Sequence, residues 1–82
     1  PEVDALWSGA MQTWVGYTTD VIVAERARGA APGGTDARAL AIALNLLNER
    51  VLSAAFNAET PALAPVDALD VLTGIWVRSI YR

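Results

Sequence analysis

The chain is predicted to be all-α, a three-helix array, and three observations predict it. Three long apolar stretches repeat hydrophobic residues at i, i+3 and i+4. Two breaks rich in Gly, Pro and Ala divide them, Arg28–Gly34 and Asn57–Ala64. Nowhere does the strict alternation of a half-buried strand compete with the helical period. A third helix after a short loop favours antiparallel packing.

The first helix is expected from about Glu2 to Arg28. Glu2 and Asp4 fall in its first turn and Arg26 and Arg28 in its last, which suits the helix dipole. Its apolar face reads Val3, Trp7, Ala10, Met11, Trp14, Tyr17, Thr18, Val21. Gly29 suits the position just past a helix end, and Pro32 cannot continue the helix. The second helix is expected from about Asp36 to Asn57, with Thr35 as N-cap. The third runs from about Pro65, suited to a first helical position, to Arg82. Gly74 in mid-helix costs about 1 kcal/mol relative to Ala, and such a glycine often marks a close helix–helix approach.

The second helix carries the most information. It is apolar on almost every side, and such a helix is normally buried. It nevertheless holds two amides, a carboxylate and a guanidinium in Asn45-Leu46-Leu47-Asn48-Glu49-Arg50. At about 100° per residue, Asn45, Asn48, Glu49 and Leu52 share one face, and Arg50 points elsewhere, among Leu46, Leu47 and Val51. Polar groups in an apolar helix need partners or a cavity. The pattern places this helix between a ligand cavity and a second packing surface.

Composition narrows the chemistry. The 82 residues are 54% hydrophobic, with three Trp. A domain this small buries only about 60% of its unfolded surface, so further chain or another subunit is expected to cover the rest. Cys, His and Lys are all absent. That excludes disulfides, thiol nucleophiles, His bases, Schiff-base lysines and the usual zinc sites, and no enzyme, cofactor or metal is expected. A net charge of −3 argues against nucleic-acid contact by this segment. No signal peptide is visible, and no span reaches the roughly 20 apolar residues of a membrane helix. A cytoplasmic protein is the default expectation.

Trp7, Met11, Trp14, Tyr17 and Thr18 have two readings. They form either one wall of an apolar ligand pocket or an ordinary helical core. Asn45, Asn48 and Glu49 are likewise either polar hooks for a ligand or a solvated helix face. Arg50 is a buried pair, an interface anchor or a side chain reaching solvent.

The strings Leu6-Trp7-Ser8, Met11-Gln12, Tyr17-Thr18, Ala43-Leu44-Asn45-Leu46, Asn48-Glu49-Arg50 and Ile75-Trp76-Val77 carry a resemblance over nearly the whole chain. The sequence resembles the C-terminal half of TetR-family transcriptional repressors, of the EthR-like kind. The resemblance implies that residues 1–82 are an effector-binding and dimerisation region, with an N-terminal helix-turn-helix domain absent from this chain. It implies a homodimer through the helices at about 36–57 and 65–82, a small apolar effector, and operator DNA bound by the missing domain only. It assigns pocket lining to Trp7, Met11, Trp14, Tyr17, Thr18, Asn45, Asn48, Glu49, Leu52 and Trp76. It also implies control of a monooxygenase gene linked to ethionamide activation. Ser53 and Ala10 are smaller than the aromatics the resemblance leads one to expect there. The alternative is a structural helical dimerisation module with no ligand.

Overall fold

The computed structural model describes residues 2–82, and Pro1, the first residue of the region assigned above, lies outside them. Helix α1 spans Glu2–Ala27, α2 Ala37–Phe56 and α3 Pro65–Tyr81. The expected all-α class holds, and each helix ends one residue short of its expected C-terminus.

Local chemistry accounts for the ends. At the close of α1, Gly29 adopts φ 79°. Its N–H donates to the Arg26 carbonyl and that of Ala30 to the Glu25 carbonyl, at 3.1 and 2.9 Å. These are the paired bonds of a Schellman ending, which needs a residue without a Cβ penalty at the left-handed position. Pro65 opens α3 at its first turn, as expected. At the start of α2 the structure corrects the sequence. The cap is Asp36, whose carboxylate accepts from the Ala39 N–H at 3.0 Å, not Thr35. A carboxylate there satisfies an orphan donor and meets the positive end of the helix dipole as well.

Helix α2 packs on both α1 and α3. The array measures 40 × 31 × 16 Å. Since a helix with its side chains is about 10–12 Å across, this is a flat sheet of helices with two broad faces. Its main core joins Val15 and Ile22 of α1, Ala31 of the first loop, Ala41 and Leu44 of α2, and Ile80 of α3. Ile22 is the only large side chain to reach 0% exposure among the described residues.

The core line of α1 differs from the expected apolar face. Val15 and Ile22 lie roughly 100° around the helix from the line Trp7–Trp14–Val21, and only Met11 and Thr18 border both. Within this chain the aromatic stripe stays outside that core: Trp14 stands 62% exposed and Trp7 52%. The i, i+3, i+4 pattern was real, but α1 carries two adjacent apolar lines and only one packs inside this chain. Hydroxyls set along the helix are satisfied locally. Thr13, Thr18 and Thr19 donate to the carbonyls of Gly9, Trp14 and Val15 at 2.7–3.0 Å.

Three further expectations resolve here. Arg50 takes the solvent option: it pairs with Glu59 at 2.7 Å on the surface, bridging α2 to the loop after it. That guanidinium holds the Glu59 carboxyl below its ordinary range. Gly74 faces no second helix of this chain, because an added Cβ would first meet the Arg78 guanidinium of its own helix at 3.0 Å. Finally, α2 is long and apolar enough, by length and composition, to cross a membrane, which corrects the reading that no span qualifies. The sequence count stopped at each polar residue, whereas mean hydropathy tolerates them. In the array the two amides among them face protein: Asn45 bonds to α1 and Asn48 to α3.

The cap assignment is testable by urea unfolding. Asp36→Ala is expected to cost about 1 kcal/mol, because it orphans the Ala39 N–H. Thr35→Ala, at an exposed position without a cap bond, is expected to stay within about 0.5 kcal/mol. The reverse order restores Thr35 as the cap.

Candidate functional site

One broad face of the array holds a groove of about 580 Å³ between α1, α2 and α3. Helix α1 supplies its aromatic wall. Trp7, Trp14 and Val21 recur every seven residues, so they align along the helix, and Tyr17 meets Trp14 edge-on with ring centroids 6.1 Å apart. Helix α2 supplies the floor through Asn45, Asn48, Glu49 and Leu52, and α3 closes the far side with Trp76. Every residue assigned to the site from the sequence lines this groove. Two further lining residues, Val21 and Ile80, were missed as site residues. Val21 had been placed on the apolar face with Trp7 and Trp14, and that alignment was the signal for it.

The groove is predominantly apolar, and its polar groups are specific. Asn45 donates through Nδ2 to the Thr18 hydroxyl at 3.0 Å and to the Ala41 carbonyl at 2.8 Å. The Thr18 hydroxyl donates onward to the Trp14 carbonyl at 2.8 Å. This relay couples the centre of α2 to the aromatic wall. On the other side the Trp76 indole N–H donates to the Asn48 side-chain oxygen at 2.8 Å. Asn45, Asn48, Glu49 and Trp76 are all half-buried. The solvated-face reading of the α2 amides therefore gives way, since each amide is used between helices.

The aromatic wall is open. Trp7, Trp14 and Tyr17 remain exposed, although large apolar surface on this scale is usually covered by ligand, partner or further chain. The arrangement suits binding of an elongated apolar molecule held at a few polar points. Among the described residues there is no group of three or more His, Cys, Asp or Glu that could hold a metal ion.

At the opposite corner, the Arg28 guanidinium binds the Glu25 carboxylate at 2.7 Å and lowers its pKa. The nearby Glu25 carboxylate raises the pKa of the Tyr81 phenol. These charges lie outside the groove.

The described geometry predicts that Asn45 is structural as well as site-lining. Asn45→Ala is expected to cost about 1–2 kcal/mol in chemical denaturation, from two lost bonds in a half-buried setting. A change below about 0.3 kcal/mol would mean that water replaces both bonds without loss.

Comparison with known proteins supplies the family. The description "Transcriptional regulator EthR, C-terminal domain" matches residues 1–82. The HTH-type transcriptional regulator EthR of Mycobacterium tuberculosis is 55% identical over 80 residues, which are 98% of this chain and 37% of that protein. The regulator of the same name from Mycobacterium bovis gives the same figures, 55% over 80 residues. That of Mycolicibacterium smegmatis is 49% identical over 81 residues, 99% of this chain. The chain thus spans about 37% of the length of these curated relatives.

Proposed function

Because the chain belongs to the family of EthR C-terminal domains, with their TetR-type helical fold, we propose that it is the effector-binding and dimerisation region of a ligand-responsive transcriptional repressor. The observation that carries the reading is the aromatic wall. Trp7 and Trp14 are exposed along one line of α1 and face a groove floored by two half-buried amides. A contiguous exposed apolar surface of this kind marks a binding groove or an interaction site. Filling the groove with an apolar molecule removes that surface from water at about 25 cal/mol per Å².

The effector is a long, mostly apolar molecule carrying a carbonyl, for which the Asn48 amide is the donor. The regulator works by linkage: the effector stabilises one arrangement of the dimer, and operator affinity changes by the same coupling free energy. Operator contact belongs to the helix-turn-helix named in the relatives, outside this acidic chain of net charge −3. The protein acts in the cytoplasm and has no enzymatic role. Its finer target, a monooxygenase gene linked to ethionamide activation, rests on the family resemblance; transcript levels of that gene after deletion of the regulator test it.

Dimerisation uses α2 and α3. Helix α2 exposes Leu46 at 51%, turned away from Asn48. Helix α3 adds Val66 and Val77. A two-fold axis there gives a four-helix bundle and covers this second apolar surface. Such an interface is expected to bury more than about 1,000 Å² in total. Sedimentation of the intact protein at micromolar concentration is expected to show a dimer, and a monomer overturns this part.

Ligand binding has its own test by calorimetric titration. Asn48→Ala is expected to weaken a carbonyl ligand by about tenfold and leave a matched hydrocarbon nearly unchanged. Trp14→Ala is expected to weaken both, because it removes area rather than a directed bond. Equal losses for both ligands in Asn48→Ala would show that the amide is not a hook.

A further inference from the structure

The groove holds one carboxylate, and the chain gives it no cation. Glu49 is the only Asp, Glu, Lys or Arg among the residues that line the groove. It is half-buried, and neither ion pair among the described residues includes it. The guanidinium next to it in sequence, Arg50, is committed to Glu59 at 2.7 Å. An open groove leaves such a carboxylate in water. Filling the groove with an apolar molecule strips that water away, and an unpaired carboxylate in apolar surroundings is costly. An effector that brings a cation to that point removes the cost.

The register of α1 against α2 shows what stands beside it. Thr18 lies nine residues before the end of α1 at Ala27, and Asn45 lies eight after the start of α2 at Ala37. The Asn45–Thr18 bond at 3.0 Å therefore joins points nearly equally far from the connecting loop, so the two helices run antiparallel. One turn further along α2 comes Glu49, and one turn back along α1 comes Trp14, both lining the groove. The two are level. Trp14 and Tyr17 have ring planes 78° apart and both are exposed, so ring faces stay open to a ligand. A cation is attracted to the face of an indole or a phenol as well as to a carboxylate. We infer that Glu49, with Trp14 and Tyr17, forms a subsite for an alkylammonium group. The groove then selects an elongated apolar molecule that carries a protonated amine at one end, and disfavours one that ends in a carboxylate. The inference rests on the effector reading above and adds the charge of the ligand to it.

The test uses the intact regulator and three probes of one length: 6-phenylhexylamine, 6-phenylhexan-1-ol and 6-phenylhexanoate. Affinities are measured by calorimetry at neutral pH for the unmodified protein, Glu49→Gln and Glu49→Asp. The unmodified protein is expected to bind the amine about three- to tenfold tighter than the alcohol, and the carboxylate more weakly than either. Glu49→Gln keeps the shape without the charge. It is expected to bring the amine within about twofold of the alcohol, to improve the carboxylate, and to change the alcohol by less than about twofold. Glu49→Asp keeps the charge and is expected to keep the preference for the amine. Equal affinity of the unmodified protein for amine and alcohol overturns the subsite while leaving the effector reading in place. An amine preference that survives Glu49→Gln puts cation recognition on other residues and overturns the assignment. Equal loss of all three probes in both variants makes Glu49 a wall of the groove only, and overturns it too. Binding of none of the probes by the unmodified protein removes the effector reading, and this inference with it.

Discussion

Everything in this molecule depends on α2 being used on two sides. It is the helix that packs extensively on both others, and it is apolar nearly all round. Three helices in a layer 16 Å thick cannot bury such a helix. Its inner edge goes into the core through Ala41 and Leu44. One flank forms the floor of the groove through Asn45, Asn48 and Leu52. Another side, with Leu46, stays exposed in this chain. The same constraint explains why the layer is held by few large buried side chains and by specific bonds between helices.

Those bonds set the character of the groove. Burial of apolar surface is non-directional and cannot by itself choose one rotation of α2 about its axis. The Asn45–Thr18 and Asn48–Trp76 bonds can, because each is lost if α2 turns by a fraction of a residue. They also give polar groups in an otherwise apolar groove partners on neighbouring helices. A groove built this way is preorganised: its amides are already held in place by the chain, so less ordering would be needed on binding.

Much of this was legible in the sequence. Periodicity gave three helices because each stretch is long and strongly patterned, and Gly29, Pro32 and Pro65 marked the breaks through backbone chemistry that leaves few alternatives. The site residues were legible for two reasons. Helical arithmetic put Asn45, Asn48 and Leu52 on one face, and resemblance added Trp76, which no spacing argument could connect to a helix some thirty positions earlier. What the sequence hid was which apolar line of α1 packs inward. Trp7–Trp14–Val21 and Val15–Ile22 are both heptad-spaced, and hydrophobicity favours the indoles as core. The structure reverses that choice, since small and branched side chains pack closely against α2 while the indoles stay outside. The Asp36 cap was hidden because Thr35 and Asp36 are both good caps in adjacent positions, and only backbone geometry separates them.

The central claim is that α2 separates an effector groove from a dimer face. Native mass spectrometry of the intact regulator with saturating hexyl phenyl ketone tests it most directly. The account predicts a dimer carrying two ligand molecules, one in each groove, because each groove faces away from the two-fold axis. A dimer saturated by a single ligand would place that molecule across the axis, on the side of α2 assigned here to the partner, and would contradict the account.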